Sequence, residues 1–544
     1  MTIITGDFGE ALFTVDRFSK FPPELREEVF WTIGNRDDIS NITRASPVMY
    51  RQSKISKTRL LRPLLRREFP GDLLQDAIAV ITFPPLANYD VEEATVMRTN
   101  HLTAWGRKEL PDPLLGCSDQ PILAFNSLYR CIRGYINDYI SKATSRDLRV
   151  SHLRLPAWVH QSFKDEALDN MLKEPSPHTI TSINLVSQTE KYRLLQAFLR
   201  YELLCKALQP RPLRHLEPDE HNQLSRRRDG PVFDPYLSLN LHPLQLTIQR
   251  EWDWSFLSRF EKDPTTVARQ DWLQDTYKCV HEYVVCVHGT LLTRIKSNRF
   301  VDNLPLPNAC QQRELIFQPE TYPEGIAGGR RFLSLLAGFG FDLLGSFLAS
   351  EKSTLVPTLI CFYKQYLYRV PDYQPGQPLG IHGMGGDDDD SIPKIWKDVF
   401  DVIHRRYATS FEPWRLTMWC LYRQRAWAFF DDLGYYPASC NEDRPTQGWE
   451  DFRGPLLTPQ ERATTLYYSR FVKAAYEAFY SKESAATTSA NESQASDLLP
   501  EDFRTGQISV YPSLQARMFS FWQRDQLLLN DEVSPHSALR SCRI

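Results

Sequence analysis

Apolar positions near the start of the chain recur at helical spacing. Pro22 and Pro23 fix φ where a helix can begin, since the first turn has no use for their missing N–H. Leu25, Val29 and Ile33 follow at i, i+4 and i+8, and Phe30 widens the stripe. Glu24, Arg26, Glu27 and Glu28 fill the positions beside it. Gly34-Asn35 can close this helix with a left-handed residue. Asp37 or Asp38 can cap a second helix carrying Ile39, Ile42 and Ala45. Ser46-Pro47 repeats the pattern of cap then proline, and predicts a third helix through Val48, Met49 and Tyr50. Three short helices with tight turns can pack into a small bundle. At that size the bundle is marginal alone and needs the following chain or a partner.

The next stretch, Arg51 to Arg67, is basic but carries Ile55, Leu60, Leu61, Leu64 and Leu65. It predicts a helix with one buried side and one solvated face, broken or kinked at Pro63. Its cations could alternatively meet phosphates or an acidic partner. Farther on, few segments alternate strictly between apolar and polar residues, as half-buried strands do. The expected fold class is therefore all-α: a small N-terminal module, then a large irregular helical domain cut into short helices by 37 prolines. Phe332 to Leu348 reads as a buried core helix. It is interrupted by Asp342 and by Gly338, Gly340 and Gly345, which weakens it as a membrane span. Thr458-Pro459-Gln460-Glu461 is a capping box, with Leu466, Tyr467, Phe471, Ala474, Ala475 and Phe479 on one face beyond it. Ser410 can cap a deeply buried helix through Trp414, Met418, Leu421, Tyr422 and Phe429.

Two stretches cannot bury apolar surface. Pro371 to Ser391 holds Gly383 to Gly386 and the acidic run Asp387 to Asp390, and predicts a mobile loop. Ser481 to Ser496 predicts a flexible linker. The expected organisation is a flexible tail to 17 and a module over 18–68. A helical domain over 69–370 resumes at 392–480 after the loop at 371–391. A disordered linker over 481–500 precedes a C-terminal segment, 501–544, with one helix near Tyr511 to Leu529.

Composition narrows the function classes. The 544 residues amount to several domains' worth of chain, and 42% apolar residues suffice for a large core. A net charge of -3 argues against a protein built to coat nucleic acid or an anionic membrane. The stretch Met1 to Asp7 lacks the basic start and apolar run of a secretion signal. Ten scattered cysteines then read as reduced thiols in a cytoplasmic or nuclear protein.

Candidate chemistry is sparse. Cys279, His281, Cys286 and His288 form a doublet repeated at seven residues. On one helix, residues two apart point roughly 200° apart, so the four cannot converge on a zinc ion. Asp387 to Asp390 lack the spacing of a calcium loop. Ser225 to Asp229 is a short basic loop, and Gly325 to Gly329 is a glycine cluster without a P-loop lysine. No nucleophile elbow, zinc-protease motif or dinucleotide fingerprint occurs. The expectation is no catalytic, metal or cofactor site.

The run Phe21-Pro22-Pro23-Glu24-Leu25-Arg26-Glu27-Glu28-Val29-Phe30, a short acidic turn, then Ile39 to Tyr50, resembles the F-box pattern. It is similar in particular to the diverged F-box-like proteins of filamentous fungi. Phe21-Pro22 stands where the motif usually opens with Leu-Pro. Leu25, Val29 and Ile33 occupy the apolar positions of its first helix. The resemblance covers roughly fifty residues. It implies a subunit of a cullin-RING ubiquitin ligase that binds a Skp-type adaptor and recruits an unknown protein substrate with the rest of the chain. Phe21, Pro22, Leu25, Val29 and Ile42 would face an apolar groove on the adaptor. Two other readings remain open. One is a helical protein of unrelated binding or structural role whose front end caps the large domain. The other is an enzyme on an unfamiliar helical scaffold.

Overall fold

The computed structural model describes residues 16–34, 36–86, 89, 91–116, 118–164, 182–208, 254–261, 267–295, 333–334, 336–355, 359, 420–437, 457–458 and 461. These residues form helices and turns, with no strand among them, so the described fold is all-α. The expected loop at 371–391, the linker, the terminal segment and the Ser225, Gly325 and Asp387 runs lie outside them, as do Trp414, Met418 and the face from Leu466 to Phe479. The chain divides into two compact units, Met1–Thr82 with Lys108–Cys131, and Phe83–Arg107 with Ile132–Ile544.

In the first unit, α1 spans Pro23–Ile33, α2 Arg36–Ala45, α3 Pro47–Ile55, α4 Lys57–Glu68 and α5 Asp72–Ile81. Pro23 opens α1. Gly34 ends it at φ 60°, its N–H donating to the Phe30 carbonyl at 3.0 Å. A β-carbon at Gly34 would be strained by the left-handed φ and would push the end of the Arg67 side chain aside, so glycine is favoured there. Helix α2 begins at Arg36, one residue before the expected caps. Asp37 and Asp38 sit in its first turn, where their charge favours the helix N-terminus. Ser46 caps α3, accepting from the Met49 N–H at 3.0 Å.

The basic stretch divides at Ser56 and not at Pro63, which lies inside α4. The cause is local. The Ser56 hydroxyl is held by the Glu27 carboxylate and by Gln52 Nε2 at 3.0 Å, so the chain turns where it is tethered. The turn swings Ile55 outward to 80% exposure, whereas Leu60, Leu64 and Leu65 are buried as expected.

Phe30, Met49 and Leu60 form the core of α1, α3 and α4, with Phe18, Val29, Ile39 and Ile42 packed against it. The centre of α1's buried side is thus Phe30, and the expected line through Leu25 runs along its outer flank. A further helix, α7 (Asp119–Ala143), contributes Ile122, Phe125 and Tyr129 to this unit. Phe69 meets Phe125 and Tyr129 edge-on, at centroid distances of 6.2 and 5.6 Å. Arg36 lies over the Tyr129 ring at 4.5 Å and donates to Asn126 Oδ1 at 2.7 Å.

The second unit contains α6 (Val91–Gly106), the rest of α7 from Ile132, α8 (Leu148–His152), α9 (Gln188–Leu208), α10 (Val267–Ile295) and α11 (Gly340–Ala349). Helices α9 and α10 are buried on nearly every side along their middles, as central helices of a large core must be. Aromatic rings join them. Phe341 stacks on Tyr135 at 4.7 Å and on Phe198 at 5.4 Å, while Tyr139 packs on Tyr283 at 5.2 Å. Residues Phe339 and Gly340 explain why α11 is shorter than the apolar run Phe332 to Leu348. Gly340 takes φ 74°, and the Glu202 carboxylate then accepts the Phe341 N–H at 2.6 Å, capping α11 from outside. Among the described residues, no helix is long and apolar enough to cross a membrane.

Buried polar groups in this unit are mostly bonded, as burial demands. Arg425 is fully buried. It donates to the carbonyls of Ala143 and Ser145 and pairs with Glu461. Glu461 also accepts the Thr458 N–H at 2.8 Å, and Thr458 Oγ1 accepts the Glu461 N–H at 3.2 Å, completing the capping box. Gln424 Nε2 donates to Glu282 at 2.8 Å. Two histidines differ. His152 keeps only a contact of 3.3 Å to the Gln424 carbonyl, and His288 has no hydrogen bond on either ring nitrogen. Burial pushes both imidazoles down from 6.5 to about 3.

That burial predicts a pH dependence. Unfolded chain takes up a proton at each histidine near pH 6.5, which the folded chain refuses until about pH 3. Stability is full above 6.5 and falls as pH drops below it, by up to about 1.4 kcal/mol per pH unit for each histidine. Urea midpoints measured from pH 7.5 to pH 5 should decline accordingly. In His288→Leu the decline should be shallower by about one proton's worth, because that site no longer discriminates between the two states.

Candidate docking edge

The segment before α1 is fastened at both ends. Asp16 Oδ1 accepts the Phe18 N–H at 3.0 Å. Its Oδ2 accepts from Ser46 Oγ at 2.5 Å and from the Val48 N–H at 3.3 Å. One carboxylate thus ties the 3₁₀ turn Arg17–Lys20 to the N-terminus of α3. The Ser46 hydrogen bond, chiefly, holds the Asp16 carboxyl below its ordinary value. Arg26 reaches back from α1, its Nε donating to the Phe18 carbonyl at 3.0 Å and Nη2 to that of Ser19 at 3.3 Å. Phe18 turns into the core, and Phe21 stands edge-on to it at 5.9 Å.

This fastening leaves Phe21 and Leu25 outside. Phe21 is 41% exposed and Leu25 46%, with Pro22 exposed between them in the chain. Val29 and Ile42 are half-buried and pack on Phe30, Met49 and Leu60. The five residues singled out from the sequence therefore divide. Phe21, Pro22 and Leu25 form an outward edge, while Val29 and Ile42 support it from the interior side.

Glu27, on the opposite side of α1, is the polar counterpart of the apolar core. Its Oε1 accepts from Ser56, from Arg59 and, at 3.2 Å, from Gln52 Nε2. The Ser56 hydrogen bond contributes most to holding the Glu27 carboxyl below its ordinary value, and Arg59 adds to it. This carboxylate clamps α1 to the α3–α4 corner, so the outward edge is carried on a rigid support.

Sequence reasoning missed Trp31, which is 56% exposed. It lies six residues beyond Leu25, about 240° around the helix, on the side of Glu24 and Glu28. A large apolar residue at a polar-face position was the available signal. Trp31 borders a shallow depression with Pro23, Glu24, Glu27, Glu28 and Arg59.

Among the described residues of the second unit, nothing gathers comparable chemistry. Cys279, His281, Cys286 and His288 all lie on α10, and each finds a different neighbourhood. His281 Nδ1 faces the Tyr201 hydroxyl at 3.2 Å, Cys286 contacts Glu282 at 3.5 Å, and His288 packs on Phe347 at 5.7 Å. No group of three or more metal-ligating side chains occurs among the described residues. Burial pushes the Cys205 and Cys279 thiols well up, away from the reactive thiolate.

Glu27→Ala should leave Ser56, Gln52 and Arg59 without their shared acceptor. A cost of about 2 kcal/mol follows from the loss of charge-assisted hydrogen bonds. Hydrogen exchange should show it as faster opening of α3 and α4, with α9 and α10 unchanged. Because the clamp works only as a carboxylate, the difference from wild type is fully present above the ordinary glutamate range. It shrinks as pH falls through the lowered Glu27 value.

The chain matches no family model, and no curated protein or solved structure is significantly similar to it.

Proposed function

We propose that the first unit is an F-box-like docking module and that the chain serves as a substrate-recruiting subunit of a cullin-RING ubiquitin ligase. In this reading the work is recruitment, and the ubiquitin transfer takes place on other subunits. Phe21, Pro22 and Leu25 enter an apolar groove on a Skp-type adaptor, while Val29 and Ile42 hold α1 and α2 at the required angle. The second unit takes the protein substrate.

The observation that carries this reading is the exposure of Phe21 and Leu25 on a module that already has a core of its own. A front end that only capped the larger domain is expected to bury those two side chains against it. Left in water, Phe21 and Leu25 offer apolar surface worth about 1.5–3 kcal/mol each on full burial against a partner.

A pull-down from cells expressing a Skp-type adaptor tests the proposal. Wild-type chain should co-purify with the adaptor. Leu25→Asp should abolish capture, because a buried unpaired carboxylate is costly. Its circular dichroism and melting should match wild type, since Leu25 lies outside the core. Failure of the folded wild-type chain to capture the adaptor would exclude the receptor role.

A further inference from the structure

The corner between α3 and α4 carries an unusual combination of side chains. Residues 51–68 hold seven lysines and arginines and one carboxylate, Glu68, in a chain whose net charge is -3. Two of the seven are already answered within the fold, Arg59 by Glu27 and Arg66 by Asp112 at 3.3 Å. Arg51, Lys54 and Lys57 are exposed and have no carboxylate partner among the described residues. Lys54 lies over the exposed Tyr50 ring at 5.2 Å. Ile55, 80% exposed, ends α3 one residue past Lys54 and two before Lys57. It is the most exposed of the large apolar side chains here, and it points away from the Phe30, Met49 and Leu60 core because Ser56 is tethered to Glu27.

From this juxtaposition we propose that the α3–α4 corner is a second docking surface, for an acidic peptide segment with an apolar side chain set between carboxylates. The acidic side chains meet Arg51, Lys54 and Lys57, and the apolar side chain covers Ile55. Charge complementarity commits the occupant to an anion. Ile55 commits it to a peptide, because a phosphodiester backbone has nothing to place there. One face of the Tyr50 ring already carries Lys54, at 5.2 Å, which disfavours a stacked nucleobase there. Charges act locally here, over a screening length of about 8 Å at physiological salt, so the chain's small net negative charge does not cancel the patch. This surface lies on α3 and α4, whereas the edge of Phe21 and Leu25 lies before and on α1, so the inference does not rest on adaptor binding.

Fluorescence anisotropy with the full chain tests it. The probe is a short fluorescein-labelled peptide in which leucine is flanked on each side by glutamates. It should bind, and added salt should weaken it. Ile55→Ser should raise Kd about tenfold, the scale of one aliphatic side chain left unburied. Lys57→Glu should raise it by about tenfold or more. Both positions are exposed, so unchanged circular dichroism will show that the variants fold. The proposal is overturned if the peptide does not bind, or if a version with serine for leucine binds as well. It is equally overturned if a single-stranded oligonucleotide or phosphatidylserine vesicles bind more tightly than the peptide.

Discussion

Phe30 closing on Met49 and Leu60 is the contact on which the first unit turns. It selects which side of α1 faces inward, and so places Leu25 on the outside. The arrangement is held by charge as well as by apolar burial. Glu27, on the flank of the same helix, gathers Ser56, Gln52 and Arg59, and Asp16 gathers Phe18, Ser46 and Val48. Each carboxylate satisfies several donors, some from sequence-distant segments, and so fixes how α1, α3 and α4 meet.

The second unit is held differently. Its central helices have almost no solvated face, so their polar side chains must find partners inside. Arg425, Gln424 and Glu202 do so by reaching backbone groups or buried partners across the chain. His288 does not, and together with His152 it is where acid weakens the fold. Substituting either end of the buried Arg425–Glu461 pair leaves a charge without compensation, whereas His288 can be replaced by an apolar side chain without that penalty.

Local chemistry was legible in the sequence where it is decided within a few residues. Pro23, Gly34, the Ser46 cap and the Thr458–Glu461 box all follow from backbone donors left open at helix ends. The all-α class followed from spacing. What could not be read was decided by residues far apart. Ser56, not Pro63, divides the basic stretch because Glu27 reaches it across the module. Ile55 was expected inside and stands outside for the same reason. Leu25, Val29 and Ile33 form a regular stripe, yet the core takes Phe30, since periodicity does not say where on a stripe the partner helix will sit. The resemblance pointed to Phe21, Pro22 and Leu25, which the fold leaves exposed, and did not point to Trp31.

The central claim is that apolar surface on α1 is reserved for another protein. Isothermal titration of the full chain with a Skp-type adaptor, repeated at several temperatures, measures this directly. Burial of an apolar edge predicts saturable binding with a negative heat-capacity change. Absence of binding, or binding whose heat-capacity change is zero, would contradict the account.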